Sequence, residues 1–135
     1  MPTSQQAPFI VELDTPEALD SAIVGSKAAS VADLVKKGAT VPAGFAIPAN
    51  VFTEFVSSLK TDIAKALSNV DIEDISSAFD TSNAIFELLK SAPTPTGLLE
   101  AIADRISGET GALAVRSSAT AEDLEGASFA GMYDT

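Results

Sequence analysis

The stretch GSKAASVADLVKKGATVPAGFAI, residues 25–47, constrains the fold more than any other part of the chain. One helical face is formed by residues at the spacing i, i+3, i+4 and i+7, namely Ala28, Val31, Ala32 and Val35. This spacing predicts a helix over Ser26 to Lys37 that buries one face, with Gly38 as the residue just past its end. Val41 to Ile47 then combine Pro and Gly with apolar residues, which predicts a turn into a short strand.

Helices dominate the prediction for the rest of the chain. Capping residues and apolar spacing predict a helix capped by Asn50, a helix capped by Asp71 and a helix whose first residue is Pro95. The core candidates of the helix capped by Asp71 are Ile75, Phe79, Ile85, Phe86 and Leu89. Two apolar segments, Phe9–Leu13 and Ala112–Arg116, have the length and composition of strands. Together these elements predict an α+β fold in which helices pack on a small sheet.

The composition excludes several classes of partner. Of the 135 residues, 46% are hydrophobic, which is enough for a buried core, and the formal net charge is −11. A charge of this sign argues against binding to nucleic acid or to an anionic membrane surface, because both attract basic patches. The N-terminal residues lack the features of a signal peptide, and no apolar run approaches the roughly 20 residues of a membrane helix. We therefore expect a cytoplasmic protein.

The chain contains no Cys and no His. Disulfides and thiolate metal sites are therefore excluded, and so is any mechanism that takes a histidine base or a phosphohistidine from this chain alone. Glu122, Asp123 and Glu125 form a short acidic cluster. Such clusters are usually solvated loop charges, so we expect no metal site within the chain.

Arg116 and the residues after it have the composition of a phosphate-binding loop. The hydroxyl and glycine residues that follow the predicted strand include Ser117, Ser118, Thr120, Ser128 and Gly131. Small side chains let backbone N–H groups approach an anion, hydroxyls add donors, and the Arg116 guanidinium offers a planar fork to phosphate oxygens. The alternative is a solvated surface loop in which Arg116 forms an ion pair with Glu122 or Asp123.

Lys27 is the second candidate for binding an anion. It follows Gly25 and Ser26 at the start of the predicted helix, where the helix N-terminus attracts negative charge and the ammonium group adds to that attraction. The spacing is not that of a Walker A motif. The alternative is an ordinary exposed lysine in the first turn of a helix.

Two segments of the chain resemble the signatures of one enzyme family. GSKAASVADLVKKGATVPAGFAI at 25–47 resembles the N-terminal signature of phosphoenolpyruvate synthases, pyruvate phosphate dikinases and rifampicin phosphotransferases. LAVRSSATAEDLEGASFAGMYDT at 113–135 resembles their second signature, in the same order and about 65 residues further along. The resemblance implies that residues 1–135 make up most of the first subdomain of an ATP-grasp nucleotide-binding domain, cut before the domain is complete. Residues 1–8 are expected to be a flexible leader.

The resemblance also implies roles for individual residues. Lys27 and Arg116 would contact the ATP phosphates as catalytic cationic clamps, and the loop from Ser117 to Gly131 would cover the transferring phosphates. The Mg²⁺ ligands and most of the adenine pocket would lie beyond Thr135, in the second ATP-grasp subdomain. ATP would phosphorylate a histidine on a separate phosphohistidine domain, from which the phosphate passes to pyruvate or another acceptor. Many relatives carry Gly where this chain has Ser26, a small change that leaves the helix start usable.

We therefore expect an ATP-binding part of a pyruvate, water dikinase-like phosphotransferase, inactive without the other domains of its parent enzyme. A second hypothesis is a non-catalytic short paralogue that binds a nucleotide or a partner protein. A third hypothesis keeps the same machinery with another acceptor, as in rifampicin phosphotransferase or pyruvate phosphate dikinase.

Overall fold

The computed structural model describes residues 8–120, which form two compact units. Residues 8–51 and 97–120 make up the first unit, and residues 52–96 make up the second. The elements in chain order are β1 (Val11–Glu12), a 3-10 helix (Pro16–Leu19), α1 (Ser21–Val24), α2 (Ser26–Lys36), β2 (Phe45–Ala46), α3 (Ala49–Ser57), α4 (Lys60–Ser68), α5 (Ile75–Ser91) and α6 (Leu98–Ile106).

The sheet of the first unit is a two-stranded antiparallel ladder. Val11 lies opposite Ala46, and Glu12 lies opposite Phe45. Two of the predicted strands are therefore present, although each spans only two residues. A helix-rich chain with one small sheet confirms the predicted α+β fold.

Small apolar residues form the core of the first unit. The buried members of this core are Val11, Ala18, Val24, Ala32 and Ala46. Alanine side chains let the 3-10 helix, α1 and α2 pack closely on one another, which removes apolar surface from water. Ala32 is 2% exposed, so the face predicted from the helical spacing is the face that α2 buries.

Arg105 joins α6 to the sheet. Its guanidinium donates hydrogen bonds to both carboxylate oxygens of Glu12, with 3.0 Å between Nη2 and Oε2, and donates another to Glu109. The central carbon of the guanidinium lies 5.2 Å from the centre of the Phe45 ring, within the range of a cation–π contact. The hydrogen bonds to Glu12 are the largest cause of the raised Arg105 pKa, so this side chain stays charged at any working pH.

The second unit contains α4 and α5, which pack against each other. α5 begins at Ile75, where the carboxylate of Asp74 accepts a hydrogen bond from the Ser76 N–H group at 2.9 Å. The prediction that Asp71 caps this helix was wrong. The Asp71 carboxylate instead accepts a hydrogen bond from the Glu73 N–H group, in the turn before the helix.

Three of the predicted core residues of α5 are exposed. Ile75 is 85% exposed, Phe79 is 65% exposed and Phe86 is 59% exposed, whereas Ile85 and Leu89 are half-buried. The predicted helix is present, although it begins at Ile75. The prediction of burial failed because α4 covers only part of the α5 surface within residues 52–96, and these three residues lie outside the covered part.

Two predicted helix starts were also wrong. α3 begins at Ala49, one residue before the predicted cap at Asn50. α6 begins at Leu98 rather than at Pro95, because Gly97 turns the chain with a φ of 90° and keeps the preceding residues outside the helix. The Gly97 carbonyl then accepts the first hydrogen bond of α6.

The strand predicted at residues 112–116 is absent. This segment has no regular secondary structure, and Val115 within it is 83% exposed. A strand needs a neighbour for its N–H and C=O groups, and neither β1 nor β2 pairs with these residues in the described part of the chain. An apolar composition alone was therefore an insufficient signal here.

We predict that Asp74→Ala lowers the free energy of unfolding by about 1 kcal/mol, because the Ser76 N–H group loses its partner at the start of α5. Asp74→Asn is the matched control. Its amide oxygen can accept the same hydrogen bond, so it should lower the free energy of unfolding by about 0.3 kcal/mol at most. Urea unfolding of the full chain, followed by circular dichroism, measures both variants. Equal losses would contradict the assignment of this cap.

Candidate functional site

Gly25 is the single residue between α1 and α2. α1 ends at Val24 and α2 begins at Ser26. Gly25 has φ 81° and ψ 164°, a backbone conformation that only glycine adopts readily. Its carbonyl accepts a hydrogen bond from the Ala29 N–H group at 3.0 Å, at the start of α2. Because glycine has no side chain, it provides no side-chain cap for the helix.

Ser118 caps α2 from a distant part of the sequence. Its hydroxyl oxygen accepts a hydrogen bond from the Ala28 N–H group at 3.0 Å and donates its proton to the Val24 carbonyl at 2.7 Å. Next to it, the Ser26 N–H group donates to the Ala119 carbonyl at 3.2 Å. The two segments that resemble family signatures are therefore in direct contact, although Ala28 and Ser118 are 90 residues apart. We call this set of contacts the junction.

Only a residue without a side chain fits into the junction at position 25. A Cβ atom on Gly25 would lie 1.9 Å from the carbonyl oxygen of Ser118 and 2.5 Å from its hydroxyl oxygen. Both distances are shorter than any normal non-bonded contact, so a larger residue would force the two segments apart. Gly38 also has a positive φ, of 82°, but no heavy atom lies within 4 Å of its Cβ position.

The predicted anion-binding residues lie close in sequence to the junction. Lys27 is half-buried in the first turn of α2, and Arg116 is exposed two residues before Ser118. The hydroxyl oxygen of Ser117 is buried and has no hydrogen-bond partner among residues 8–120. Thr120 is exposed at the end of the described chain. The predicted site residues that lie outside the described part are Ser128 and Gly131.

Two cavities of the first unit lie away from these residues. One, of about 380 Å³, is lined in part by Glu12, Asp14 and the loop of residues 39–44. The second, of about 370 Å³, borders the first and shares Asp14 with it. Neither cavity is lined by Lys27 or Arg116. Within residues 8–120, the junction marks the candidate site better than either cavity does, because it is the feature that joins the two predicted cationic segments.

The described part of the chain contains neither a metal-binding cluster nor a membrane-spanning helix. Among residues 8–120, no three His, Cys, Asp or Glu side chains lie close enough together to hold a metal ion. No helix there combines the length and the apolar character needed to cross a membrane.

Comparisons with known proteins now identify the family. The family model for the pyruvate phosphate dikinase AMP/ATP-binding domain matches residues 21–135. The chain belongs to this family. Similar to it are the probable phosphoenolpyruvate synthase of Staphylothermus marinus, 37% identical over 94% of the chain, and the phosphoenolpyruvate synthase of Pseudomonas aeruginosa, 36% identical over 94% of the chain. The rifampicin phosphotransferase of a Streptomyces species is 34% identical over 94% of the chain.

The chain spans a small share of these dikinase-family relatives. It covers 16% of the Staphylothermus protein, 17% of the Pseudomonas protein and 15% of the Streptomyces protein. The predicted resemblance is confirmed, and it concerns the N-terminal nucleotide-binding part of the family.

Sequence reasoning missed the structural role of two residues in the junction. Ser118 was predicted to bind the nucleotide, and its two hydrogen bonds go to backbone groups of α1 and α2. Gly25 was recognised only as a small residue at a helix start. The available signal was a helix that begins directly after glycine, because such a helix needs its cap from elsewhere.

We predict that Gly25→Ala lowers the free energy of unfolding by about 3 kcal/mol, because the new methyl group overlaps Ser118 and the backbone conformation disfavours alanine. Gly38→Ala is the control, since it has a similar φ but open space around its Cβ position. It should lower the free energy of unfolding by about 1 kcal/mol. Thermal and urea unfolding of both variants test this difference. A Gly25→Ala variant no less stable than Gly38→Ala would contradict the close contact.

Proposed function

We propose that this chain is the ATP-binding part of a dikinase-type phosphotransferase similar to pyruvate, water dikinase. In this proposal the intact protein uses ATP to phosphorylate a histidine outside residues 1–135, and that phosphate then passes to pyruvate. The observation that carries the proposal is the junction, in which Ser118 joins the segment of Lys27 to the segment of Arg116. Membership of an AMP/ATP-binding domain family supports it.

The proposed chemistry rests on positioning and on neutralising phosphate charge. Lys27 supplies a compact ammonium group in the first turn of α2, where the helix dipole also favours an anion. Arg116 supplies a planar fork for two phosphate oxygens. Both charges matter in a chain of net charge −11, since the overall field repels a nucleotide unless cationic groups act locally.

The segment after Arg116 is the proposed phosphate-covering loop, and Ser118 joins this loop to the start of α2. The other predicted residues of the loop are Ser117 and Thr120, together with Ser128 and Gly131 outside the described residues. Among them, Ser117 is the best-supported donor to a phosphate oxygen. Its buried hydroxyl has no partner among residues 8–120, and such a group costs about 1–3 kcal/mol unless something satisfies it.

In the proposal, the groups that the reaction requires and this chain does not provide come from other domains of the parent enzyme. The chain has no His, so the phosphorylated histidine belongs to another domain of the parent enzyme. An ATP-grasp arrangement, with ATP between two subdomains, is part of the same proposal, as is a cytoplasmic location. A Mg²⁺ ion that accompanies ATP is part of the same proposal, with ligands from the nucleotide and from the protein beyond Thr135.

The full-length protein that contains this chain tests the proposal directly. Incubation with ATP, Mg²⁺ and pyruvate should yield phosphoenolpyruvate, and without pyruvate the protein should retain label from phosphate-labelled ATP. The label should be stable in base and lost in acid, as phosphohistidine is. ATP consumption that leaves no label on the protein and no phosphoenolpyruvate would overturn the proposal.

A second acceptor is also worth testing, because one relative with 34% identity is a rifampicin phosphotransferase. The same assay with rifampicin in place of pyruvate, or with inorganic phosphate added alongside pyruvate, separates the candidates. A protein that phosphorylates rifampicin and not pyruvate would keep the nucleotide-binding proposal and change the acceptor.

The isolated chain provides a separate test of the non-catalytic alternative. If ATP lies between two subdomains, residues 1–135 alone should bind ATP at least about 100-fold more weakly than the full-length protein, as loss of about 3 kcal/mol of contacts implies. Calorimetric titration of both proteins measures the difference. Equal affinity would favour a self-sufficient nucleotide-binding module.

We predict that Lys27→Ala or Arg116→Ala in the full-length enzyme lowers kcat/KM for ATP by about 100-fold or more. Each variant loses a fixed positive charge that would stabilise the transferring phosphate. Lys36→Ala is the matched control for Lys27, since Lys36 is exposed in the last turn of the same helix, and it should leave activity unchanged. Arg116→Lys should be intermediate, because it keeps the charge and loses the fork. Near-normal rates in both alanine variants would contradict the assignment.

A further inference from the structure

We propose that Ser118 is a positioning residue, which holds the Arg116 segment against the start of α2 and does not itself bind the nucleotide. This inference rests on the proposed function. It assigns different roles to the two adjacent serines of the hydroxyl-rich segment. Ser117 and Ser118 are neighbours in sequence, and their hydroxyl groups have different surroundings.

The Ser118 hydroxyl forms its hydrogen bonds with other groups of the protein. A serine hydroxyl has one proton to donate and can accept at its oxygen. The proton goes to the Val24 carbonyl at 2.7 Å, and the oxygen accepts from the Ala28 N–H group at 3.0 Å. A phosphate oxygen can only accept a hydrogen bond from a hydroxyl. Ser118 therefore has no proton left for it while the junction is intact.

The two partners of Ser118 are backbone groups that the helices leave unsatisfied. Val24 is the last residue of α1, and Ala28 lies in the first turn of α2, at the position whose N–H group an N-cap side chain normally binds. Gly25 lies at the N-cap position and has no side chain for this purpose. Ser118 performs the capping from a segment 90 residues away, so completing the helix start requires that segment to dock.

The docking point lies close to both proposed cations. Ala28 follows Lys27 directly, and Ser118 follows Arg116 by two residues. Because each residue spans at most about 3.6 Å of chain, the Arg116 backbone lies within about 7 Å of Ser118. Gly25 allows the closest approach, since any Cβ there would meet the Ser118 carbonyl. The junction therefore sets the spacing between the two cationic segments.

The hydroxyl of Ser117 differs from that of Ser118 in its hydrogen bonding. Its hydroxyl oxygen is buried like that of a structural residue, and it has no hydrogen-bond partner among residues 8–120. The Ser118 hydroxyl forms hydrogen bonds with backbone groups of α1 and α2, whereas the Ser117 hydroxyl donates to no group within residues 8–120. Substitutions at these two adjacent positions should therefore affect the enzyme in different ways, which makes Ser117→Ala a matched comparison for Ser118→Ala.

The test is a double-mutant cycle in the full-length enzyme, with kcat/KM for ATP as the readout. Ser118→Ala alone should lower kcat/KM by about 10- to 100-fold, as expected when a charged group is misplaced by about 1 Å. In the Arg116→Ala background the same change should lower it by no more than about threefold, because the residue that Ser118 positions is already gone. In the Ser118→Ala background, Ser117→Ala should also lose most of its effect on kcat/KM, because Ser118 holds the segment that carries the Ser117 hydroxyl.

Rescue and stability measurements separate positioning from a merely structural role. Ser118→Thr keeps the hydroxyl and should retain activity within about fivefold of the wild type, while Ser118→Ala does not. Loss of the cap lowers the melting temperature under either role. A purely structural role would give additive losses with Arg116→Ala, whereas positioning gives non-additive losses. If Ser118→Ala does not fold, Ser118→Cys takes its place in the cycle, because its thiol is similar in shape and a weaker donor.

The outcomes distinguish this inference from the function on which it rests. Non-additive loss with Arg116→Ala, together with rescue by threonine, supports the positioning role. Additive losses, an active Ser118→Ala enzyme or a threonine variant as impaired as the alanine variant would overturn it. In each of those cases ATP use that depends on Lys27 and Arg116 would leave the proposed function standing. A wild-type protein that does not use ATP would overturn both.

Discussion

The hydroxyl of Ser118, placed between the Val24 carbonyl and the Ala28 N–H group, is the interaction on which the candidate site depends. A chain that ends one helix and begins another across a single residue leaves backbone groups at both ends without partners. Gly25 makes the tight connection possible and for the same reason provides no cap. Ser118, from a distant segment of the chain, provides a hydrogen-bond partner to a backbone group of each helix. The start of α2 is therefore complete only when the two segments meet, which links local helix stability to the assembly of the site.

The features that sequence predicted well are those set by local spacing. The small residues on one face of α2 were placed correctly because helical periodicity decides which side chains share a face, and Ala32 lies in the core as expected. The cap of α5 shows the limit of such reasoning. Asp71 and Asp74 have the same chemistry, and the choice between them depends on where the turn closes. The Asp71 N–H group donates to the Ser77 hydroxyl at 3.0 Å, which holds the turn before the helix.

The features that sequence did not predict depend on distant partners. Nothing in the spacing of α6 indicates that Arg105 meets Glu12 and Phe45, because the hydrogen-bonded pair is 93 residues apart. Residues 112–116 have the composition of a strand, yet pairing requires a neighbour that β1 and β2 do not offer within residues 8–120. The family signatures were recognised as two separate segments. Their direct contact through a serine hydroxyl and a glycine became visible only in three dimensions, because neither residue type signals a specific long-range partner.

The two adjacent serines illustrate why a hydroxyl-rich segment cannot be assigned a single role from its composition. A buried hydroxyl stabilises a fold when it satisfies backbone groups, as Ser118 does at two positions. A buried hydroxyl without a partner carries a cost in stability, and the Ser117 oxygen has no partner among residues 8–120. Within the described residues, stability alone would therefore favour a small apolar residue at position 117. The segment therefore combines one serine that fixes its place with one that keeps hydrogen-bonding capacity, and the first is what makes the second usable.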